Sequence, residues 1–257
     1  MDCIYGLVCK LTTLSSHTKT PMPARHQLCD RNDEVVIMSY NIKALFPFYN
    51  ARRIANIVAF IQDQFTNNKV DIICLQEAFE LELYDQLYSM ASRNRLNIVH
   101  PPLKRKWVVG ENSGLATISR YPILEGDSFT AFAKSSGLCA FANKGYHYLE
   151  VCLGGDDMLP IVNTHLQSDN VAIAMDQFLS IDVERAIIVG DLNMDHDLVS
   201  TLCDPVNPEK MTTFCDQRQL DYFVLRGMAL DCSFEVLTDV GHSDHWPIMG
   251  RFMKGKN

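Results

Sequence analysis

Several apolar runs of the sequence end, or begin, at a side chain that can bind a cation or move a proton. These side chains are Asn41 after IMSY, Glu77 after IICLQ, His165 after PIVNT, Asp191 and Asn193 after AIIVG, and Asp244 and His245 before WPIM. A charged group at the edge of a core is costly unless it is paired or bound to metal, and sites commonly form where a rigid sheet meets its loops. Each residue taken alone is more often a turn former, a helix cap or a structural histidine. The prediction of a site therefore rests on the ordered set.

The oxygen-bearing side chains of this set suit a divalent cation. The Glu77 carboxylate, helped by the amide oxygen of Asn41, offers the ligands that Mg²⁺ prefers, with Mn²⁺ as the alternative ion. Asp191 and Asn193 are two positions apart, so both are expected to point to the same side of a strand end. The sequence therefore predicts a cleft that holds a cation beside a second pair of polar groups.

Two histidines of the set suit proton transfer. His165 and His245 can each gain or lose a proton near neutral pH. Either Asp221 or Asp244 is placed to hold His245 in one tautomer, as the third member of a catalytic triad holds its base. A cation, a base that activates water and donors for a charged oxygen together describe phosphoester hydrolysis.

The apolar pattern predicts the elements that must position these groups. Strands are predicted over 34–42, 70–77, 114–123, 146–153, 159–166, 185–193, 220–226, 232–237 and 245–252. Helices are predicted over 51–65, 80–91 and about 169–180, the first because apolar residues recur at helical spacing in ARRIANIVAFIQDQF. Many strands with few helices indicate an α/β fold of two sheets packed face to face, with helices outside.

One domain and a leader are predicted along the chain of 257 residues. Residues 1–33 are mixed and aperiodic and are interpreted as a flexible leader, whereas 34–257 contain no repeat or linker and form a single catalytic domain. The chain carries 31 acidic and 23 basic residues, a net charge of −8, which disfavours a long passive grip on a nucleic acid. The KRK run at 104–106 is either a phosphate contact or a solvated basic loop, and the net charge favours the loop.

Cysteine usage and the N-terminus predict a cellular location. The nine cysteines form no metal-site spacing and several lie in apolar runs, which is typical of a reduced intracellular protein, here expected in the cytoplasm. We find no secretory signal and no apolar run near the ~20 residues needed to span a bilayer. Cys3 and Cys9 are either acylation sites or ordinary thiols, and the second interpretation is favoured.

The ordered motifs resemble those of a known superfamily. They are SYNI (39–42), LQE (75–77), GLATISRYPI (114–123), NTHL (163–166), GDLN (190–193), LDY (220–222) and SDHWPI (243–248). Together they are similar to the motifs of the endonuclease/exonuclease/phosphatase, or DNase I-like, superfamily over about 35–252, and GDLN followed by SDH about fifty residues later is the specific part. The resemblance implies a four-layer α/β/β/α sandwich of two packed mixed β-sheets flanked by helices, and a Mg²⁺-dependent phosphodiesterase or phosphatase.

The same resemblance implies roles for the site residues. It implies metal binding by Asn41 and Glu77, positioning of phosphate or water by Asp191 and Asn193, catalysis by His165 and His245, and a place beside the metal or His245 for Asp244. Of the two places implied for Asp244, the one predicted here is that of a metal ligand.

Within the superfamily, the chain resembles the neutral sphingomyelinases. LDYFVL stands where inositol-polyphosphate 5-phosphatases carry Trp-Cys-Asp-Arg, and Asp221 is thereby implied as a catalytic-site acid. FAKSSGLCAFANKGYHYLEV (132–151) has the Lys-Gly-Tyr order of that branch, so Lys144 either meets the lipid phosphate or is a surface lysine in a turn, the reading we favour. The implied substrate is a phosphoester of the sphingomyelin type. No transmembrane segment is expected in the chain.

The chain also departs from that branch. Ala174 stands where an arginine is common, and the segment 225–241 is too short for the apolar hairpin with which secreted members enter membranes. The alternatives are a DNase-like endonuclease or a nucleotide or inositol phosphatase of the same superfamily. A binding module without catalysis is disfavoured because the candidate site residues are all present.

Overall fold

The computed structural model describes residues 34–45, 50–103, 111–207 and 209–253. The predictions for the leader 1–33, for Cys3 and Cys9 as acylation sites, and for KRK at 104–106 lie outside the described residues.

Sheet A holds six strands: β1 (Glu34–Ala44), β2 (Ile72–Ala78), β3 (Asn97–Val99), β4 (Ala116–Ser119), β10 (Cys232–Val236) and β11 (Ile248–Met253). Their order is β10-β11-β1-β2-β4-β3. The central pair β1 and β2 is parallel and the other neighbours are antiparallel. Sheet A is therefore mixed, as predicted.

Sheet B holds five strands in sequential order: β5 (Ile123–Ala131), β6 (Gly145–Gly154), β7 (Asp157–His165), β8 (Ala186–Asp191) and β9 (Asp221–Arg226). Here β7 and β8 are the parallel pair. Each sheet thus contains one parallel pair, and the two pairs carry most of the candidate site residues at their carboxyl ends.

The helices cover the outer faces of the two sheets. They are α1 (Ala51–Thr66), α2 (Leu81–Asn94), α3 (Val171–Leu179) and α4 (His196–Leu202), and a short 3₁₀ helix spans Gly137–Phe141. The Asn50 side chain caps α1 by accepting from the Arg53 backbone N–H at 3.1 Å. The predicted helices over 51–65, 80–91 and 169–180 are confirmed within a few residues.

Alternation along the strands builds three packed layers of apolar side chains. In β1, Ile37 packs between the two sheets and Met38 packs under α1 and α2, because successive side chains point to opposite faces. On sheet B, Val189 points between the sheets while Ile188 packs with the side chains of α3 and α4. The order of layers is helices, sheet A, sheet B, helices, which confirms the predicted four-layer sandwich.

Two predicted strands differ from the structure in a way that affects the site. The predicted strand 114–123 is divided: β4 ends at Ser119, and β5 starts at Ile123 in the other sheet. The predicted strand 245–252 starts later, at Ile248, because Pro247 has no N–H to donate to a neighbouring strand. His245 is therefore outside the regular sheet, where its ring packs against Phe214 with 4.6 Å between ring centroids.

Candidate active site

The strand register of sheet B brings three predicted site residues into one row. His165 pairs with Asp191 across β7 and β8, and Asp191 pairs with Asp221 across β8 and β9. Paired residues point to the same face of a sheet, and for this row it is the face that packs on sheet A, since Val189 and Phe223 lie in the layer between the sheets. All three side chains are buried.

Sheet A contributes the other half of the site from the ends of its parallel pair. The Asn41 amide nitrogen lies 3.0 Å from Asp191 Oδ2 and 3.2 Å from Glu77 Oε1, so it links the two sheets. Gln76 faces sheet B, where its amide nitrogen donates to Asn163 Oδ1 at 2.9 Å. Strict alternation would point the next residue, Glu77, toward the helices.

Left-handed backbone at three strand ends redirects the site side chains. Lys43, Glu77 and Asn193 have φ values of 47°, 53° and 51°, a region that costs a residue other than glycine roughly 1–2 kcal/mol. Two of these turns are held by a local side chain, since Asn41 Oδ1 accepts from Lys43 N at 3.2 Å and Asp191 Oδ1 accepts from Asn193 N at 2.9 Å. The turn at Glu77 brings its carboxylate to the site. Strain of this kind is common at functional sites.

The carboxylates of Glu77 and Asp191 share two neighbours and suit a divalent cation. Besides Asn41, both face His165 Nε2, at 3.8 Å for Glu77 Oε1 and 3.5 Å for Asp191 Oδ2. The Glu77 side chain is 20% exposed, so this hard oxygen pair opens to solvent. Such a donor set fits the preference of Mg²⁺ for one or two carboxylates together with water and substrate oxygens. The Asn41 amide nitrogen, not its oxygen, faces these two carboxylates, so use of the oxygen as a ligand would require the amide to rotate.

A second cluster joins Asp221, His245 and Asp191. His245 Nδ1 lies 2.8 Å from Asp221 Oδ2, and Nε2 faces Asp191 Oδ2 at 3.6 Å. One ligand atom from each of these residues lies within 4.8 Å of the others. Burial alone lowers the pKa of His245, but the carboxylates of Asp221 and Asp191 outweigh it and raise that pKa to about 10. Burial raises the pKa of Asp191 to about 7, against the opposing effect of His245.

His165 differs from His245 in its charge state. Burial, with Lys144 and His245 nearby, holds the pKa of His165 well below its usual range. Its Nδ1 is buried and has no hydrogen-bond partner among the described residues. A neutral imidazole here can still donate one hydrogen bond toward the site.

Asp244 lies apart from the cluster. Its carboxylate forms an ion pair with Lys43 Nζ at 2.6 Å, with 23% of the Asp244 side chain exposed. Of the two acids proposed to hold His245, the structure thus places Asp221 on the imidazole and Asp244 on Lys43.

The interpretation of Lys144 as a surface lysine is wrong. Lys144 is 4% exposed, and its ammonium donates to the Leu166 carbonyl at 2.9 Å. Asn193 Nδ2 donates to the same carbonyl at 3.1 Å. The Asn193 side chain, predicted to share a cleft with Asp191, is therefore bonded to the backbone at the end of β7. Burial lowers the pKa of Lys144, while the Cys139 thiol and the nearby carboxylates of Glu77 and Asp191 oppose that change. The turn before Gly145 is folded inward, which no local pattern indicates.

Two residues that support the site, Thr213 and Phe214, were not predicted from the sequence. Thr213 Oγ1 accepts from the backbone N–H groups of Leu220 at 2.9 Å and Asp221 at 3.2 Å, which fixes the start of β9. Phe214 covers the His245 ring. Both lie in a segment without periodicity, so only their contacts reveal them.

Two facing mixed sheets, with carboxylates and histidines gathered at the ends of their parallel strands, define the class of phosphoester hydrolases with a DNase I-like fold. The family model described as the endonuclease/exonuclease/phosphatase family matches residues 38–245, and the chain belongs to this family. Its members are metal-dependent phosphoester hydrolases, so the predicted superfamily is confirmed. No curated protein sequence matches the chain.

Solved structures share the fold at low sequence identity. SmcL matches with a TM-score of 0.69 and 22% identity, covering 86% of this chain and 99% of its own. Sphingomyelinase C from Streptomyces griseocarneus matches with 0.65 and 20%, covering 85% and 99%. Truncated TDP2 from Caenorhabditis elegans matches with 0.61 and 21%, covering 86% and 97%. Among the described residues, no helix is long and apolar enough to cross a membrane.

Proposed function

We propose that the protein is a Mg²⁺-dependent phosphodiesterase that cleaves the headgroup phosphoester of a sphingomyelin-type phospholipid. The observation that carries the proposal is the meeting of a partly open carboxylate pair, Glu77 and Asp191, with the Asp221–His245 pair across two sheets. A cation site beside a held imidazole is the arrangement that phosphoester hydrolysis needs.

The cation belongs at the Glu77 end of the site. Glu77 is the chief proposed ligand, and Asn41 orients the Glu77 and Asp191 carboxylates through its amide nitrogen. When bound, Mg²⁺ polarises a phosphoryl oxygen and offsets the charge that develops on it. The contribution of Asp244 comes through its ion pair with Lys43 at the rim.

His245 is the proposed base for the attacking water in its deprotonated form, which is the minor form near neutral pH because Asp221 and Asp191 raise its pKa to about 10. Because Asp221 occupies Nδ1, proton transfer must use Nε2, which faces Asp191 and makes no hydrogen bond with any described residue. Asp191 then orients the water, and Asp221 stabilises the imidazolium that forms. His165 donates a hydrogen bond to the phosphoryl group or to the departing oxygen. The alternative assignment, with Asp191 as base and His245 as proton donor, uses the same contacts in reverse order.

The preference for a lipid rests on charge and on the LDY motif. The net charge of −8 opposes binding along a nucleic-acid backbone. In LDY, Asp221 holds His245. Tyr222 is buried, and its single O–H proton is shared between the Met194 and Gln219 carbonyl oxygens, at 2.9 and 2.8 Å. The shared fold does not choose the substrate, since a sphingomyelinase C and a TDP2 both have it.

The test is a substrate panel with and without metal. We expect release of choline phosphate from sphingomyelin in detergent micelles, abolished by EDTA and restored by Mg²⁺, with little nicking of plasmid DNA and little phosphate from inositol phosphates. His245→Ala, purified in the same way, controls for contaminating enzymes. Efficient EDTA-sensitive nicking without lipid hydrolysis would reject the lipid and favour the DNase-like alternative.

A further inference from the structure

Arg53, in the first turn of α1, binds two segments that meet at the site. Its guanidinium donates to the carbonyls of Ile42 at 2.8 Å and Lys43 at 2.7 Å, both at the end of β1. It also donates to the His242 carbonyl at 2.8 Å, in the loop between β10 and β11. One side chain thus spans the interval between Ile42 and His242.

The two segments carry opposite halves of the candidate site. The end of β1 holds Asn41, which contacts the Glu77 and Asp191 carboxylates. The loop holds His245, whose base role we propose above. Besides Arg53, the segments are joined by Ser243 Oγ, which donates to the Asn41 carbonyl at 2.7 Å, and by the ion pair between Lys43 and Asp244.

The planar geometry of the guanidinium fixes the directions of the hydrogen bonds that join the two segments. Arginine has five N–H donors in a rigid planar fork, whereas lysine has one flexible ammonium. The Arg53 fork bonds the carbonyls of Ile42 and Lys43, one on each side of the Lys43 Cα, where the backbone is left-handed (φ 47° at Lys43). Helix α1 is a firm base for it, because the adjacent Ile54 is fully buried in the core.

We propose that Arg53 is a positioning residue that sets the spacing between the cation half and the histidine half of the site. The inference rests on the proposed roles of Asn41, which orients the Glu77 and Asp191 carboxylates, and of His245 as the base. It does not depend on which phosphodiester is the substrate. A displacement of about 1 Å between reacting groups can cost about 10²-fold in rate. Loosening this link therefore lowers turnover more than it lowers substrate binding or stability.

The test compares Arg53→Lys with Arg120→Lys. Arg120 is the control: its guanidinium also donates to backbone carbonyls, to Val70 at 2.9 Å and to Phe65, and it pairs with Asp71 at 3.6 Å, but at the opposite end of β2 from Glu77. Both variants keep the positive charge. Bis(p-nitrophenyl) phosphate with saturating Mg²⁺ serves as substrate, so that kcat and KM are read without a lipid, and thermal unfolding is measured in parallel.

We expect Arg53→Lys to lower kcat by about 10–100-fold with KM changed by less than about 3-fold, consistent with misplaced catalytic groups. Arg120→Lys is expected to lose a similar amount of thermal stability and keep the wild-type kcat. Hydrogen exchange of the metal-free protein gives a second readout: peptides covering 238–247 should exchange faster in Arg53→Lys, and those covering 72–76 should not.

Several results would overturn the proposal. One is an unchanged kcat in Arg53→Lys. Another is an equal fall of kcat in both variants, in step with their loss of thermal stability. The third is unchanged hydrogen exchange at 238–247 in Arg53→Lys. If Arg53→Lys and a second variant, Arg53→Gln, both fail to fold while Arg120→Lys folds, Arg53 serves the fold and the proposal is wrong. Failure of the proposed lipid substrate is seen in the wild-type protein and leaves this comparison intact.

Discussion

Asp221 and Asp244 are equally plausible partners of His245 in the sequence, and their side-chain contacts separate them. Asp221 reaches the imidazole from β9, on the neighbouring sheet, while Asp244 turns from its chain neighbour to Lys43. A buried carboxylate 2.8 Å from Nδ1 fixes the tautomer and stabilises positive charge on the ring. Adjacent residues of an extended segment point in opposite directions, so the acid next to a histidine in sequence is rarely the one that holds it.

This difference predicts unequal effects of two isosteric substitutions. Asp221→Asn should lower kcat by about 10²–10⁴-fold, the usual range for loss of general acid–base function, with little change in KM. Asp244→Asn removes the charge from the partly exposed ion pair with Lys43. Its loss of kcat should be at least about ten-fold smaller than that of Asp221→Asn, since ion pairs near the surface are worth about 0–1 kcal/mol. Steady-state kinetics on one phosphodiester at saturating Mg²⁺ checks both, and a larger loss in Asp244→Asn would reverse the assignment.

Glu77 is predicted to control metal activation. Glu77→Gln keeps the shape of the side chain and the contact with the Asn41 amide, but it removes the charge that holds a hard cation. The Mg²⁺ concentration for half-maximal activity should rise by more than about ten-fold while the circular dichroism spectrum is unchanged. Glu82→Gln, on the surface of α2, is the control. A variant with wild-type Mg²⁺ dependence would show that the cation is held elsewhere.

The parallel pair β7–β8 is the element on which the histidine row depends. At Gly190 the φ value is +144°, and an added Cβ would lie 1.9 Å from the Thr164 carbonyl oxygen. The two strands can approach closely only because this position has no side chain. The spacing between His165 and Asp191, one residue further on in each strand, follows from it.

Gly190→Ala should therefore damage both stability and the site. We expect a loss of about 2–4 kcal/mol from backbone strain and overpacking, and a reduced kcat for the molecules that remain folded. Gly155→Ala is the control: its φ of +58° is also left-handed, but an added Cβ meets nothing within 4 Å, so only about 1–2 kcal/mol of strain is expected. Denaturant unfolding and kcat per folded molecule are measured for both. Equal effects of the two changes would rule out the close approach as the cause.

At the scale of the molecule, the described residues of the two sheets pack into one unit. Both sheets, and the apolar layers that join them to the helices, are built from residues within 34–253. The layer between the sheets draws on both, for example Ile37 from sheet A and Val189 from sheet B, so neither sheet can bury its face alone. The domain boundary at residue 34 nevertheless stays a prediction.

Deletion of residues 1–33 tests that boundary. The shortened chain should unfold in one cooperative transition with a Tm within a few degrees of the full chain, because the packed layers are intact, and should keep the same kcat on a soluble phosphodiester. Calorimetry of both chains provides the measurement. Loss of folding would mean that the leader belongs to the structured domain, and a second transition in the full chain would mean that the leader folds as a unit of its own.

Much of the fold can be predicted from the sequence, because burial of one face gives each helix or strand a regular spacing of apolar residues. The Ile54, Ile57 and Ile61 spacing predicts α1, and the β-branched run before Asn41 predicts β1, since each element must bury one face. Strands that lack this signal escaped prediction. β5 carries ILEGDSFTA, whose strand state depends on pairing with β6, and the break at 120–122 that separates it from β4 is a change of sheet that local pattern does not report.

For the site, the sequence determined which residue types stand at strand ends, and the tertiary structure decided which of them meet. The resemblance of its ordered motifs identified the superfamily, and residues 39–42, 163–166 and 190–193 did converge. Three-dimensional packing decided that Asp221 rather than Asp244 holds His245, that Lys144 is buried, and that a left-handed turn brings Glu77 to the cluster. The physical reason is range: side-chain alternation and burial act over a few residues, whereas the contact of Asn41 with Asp191 spans 150 positions and exists only once two sheets pack face to face.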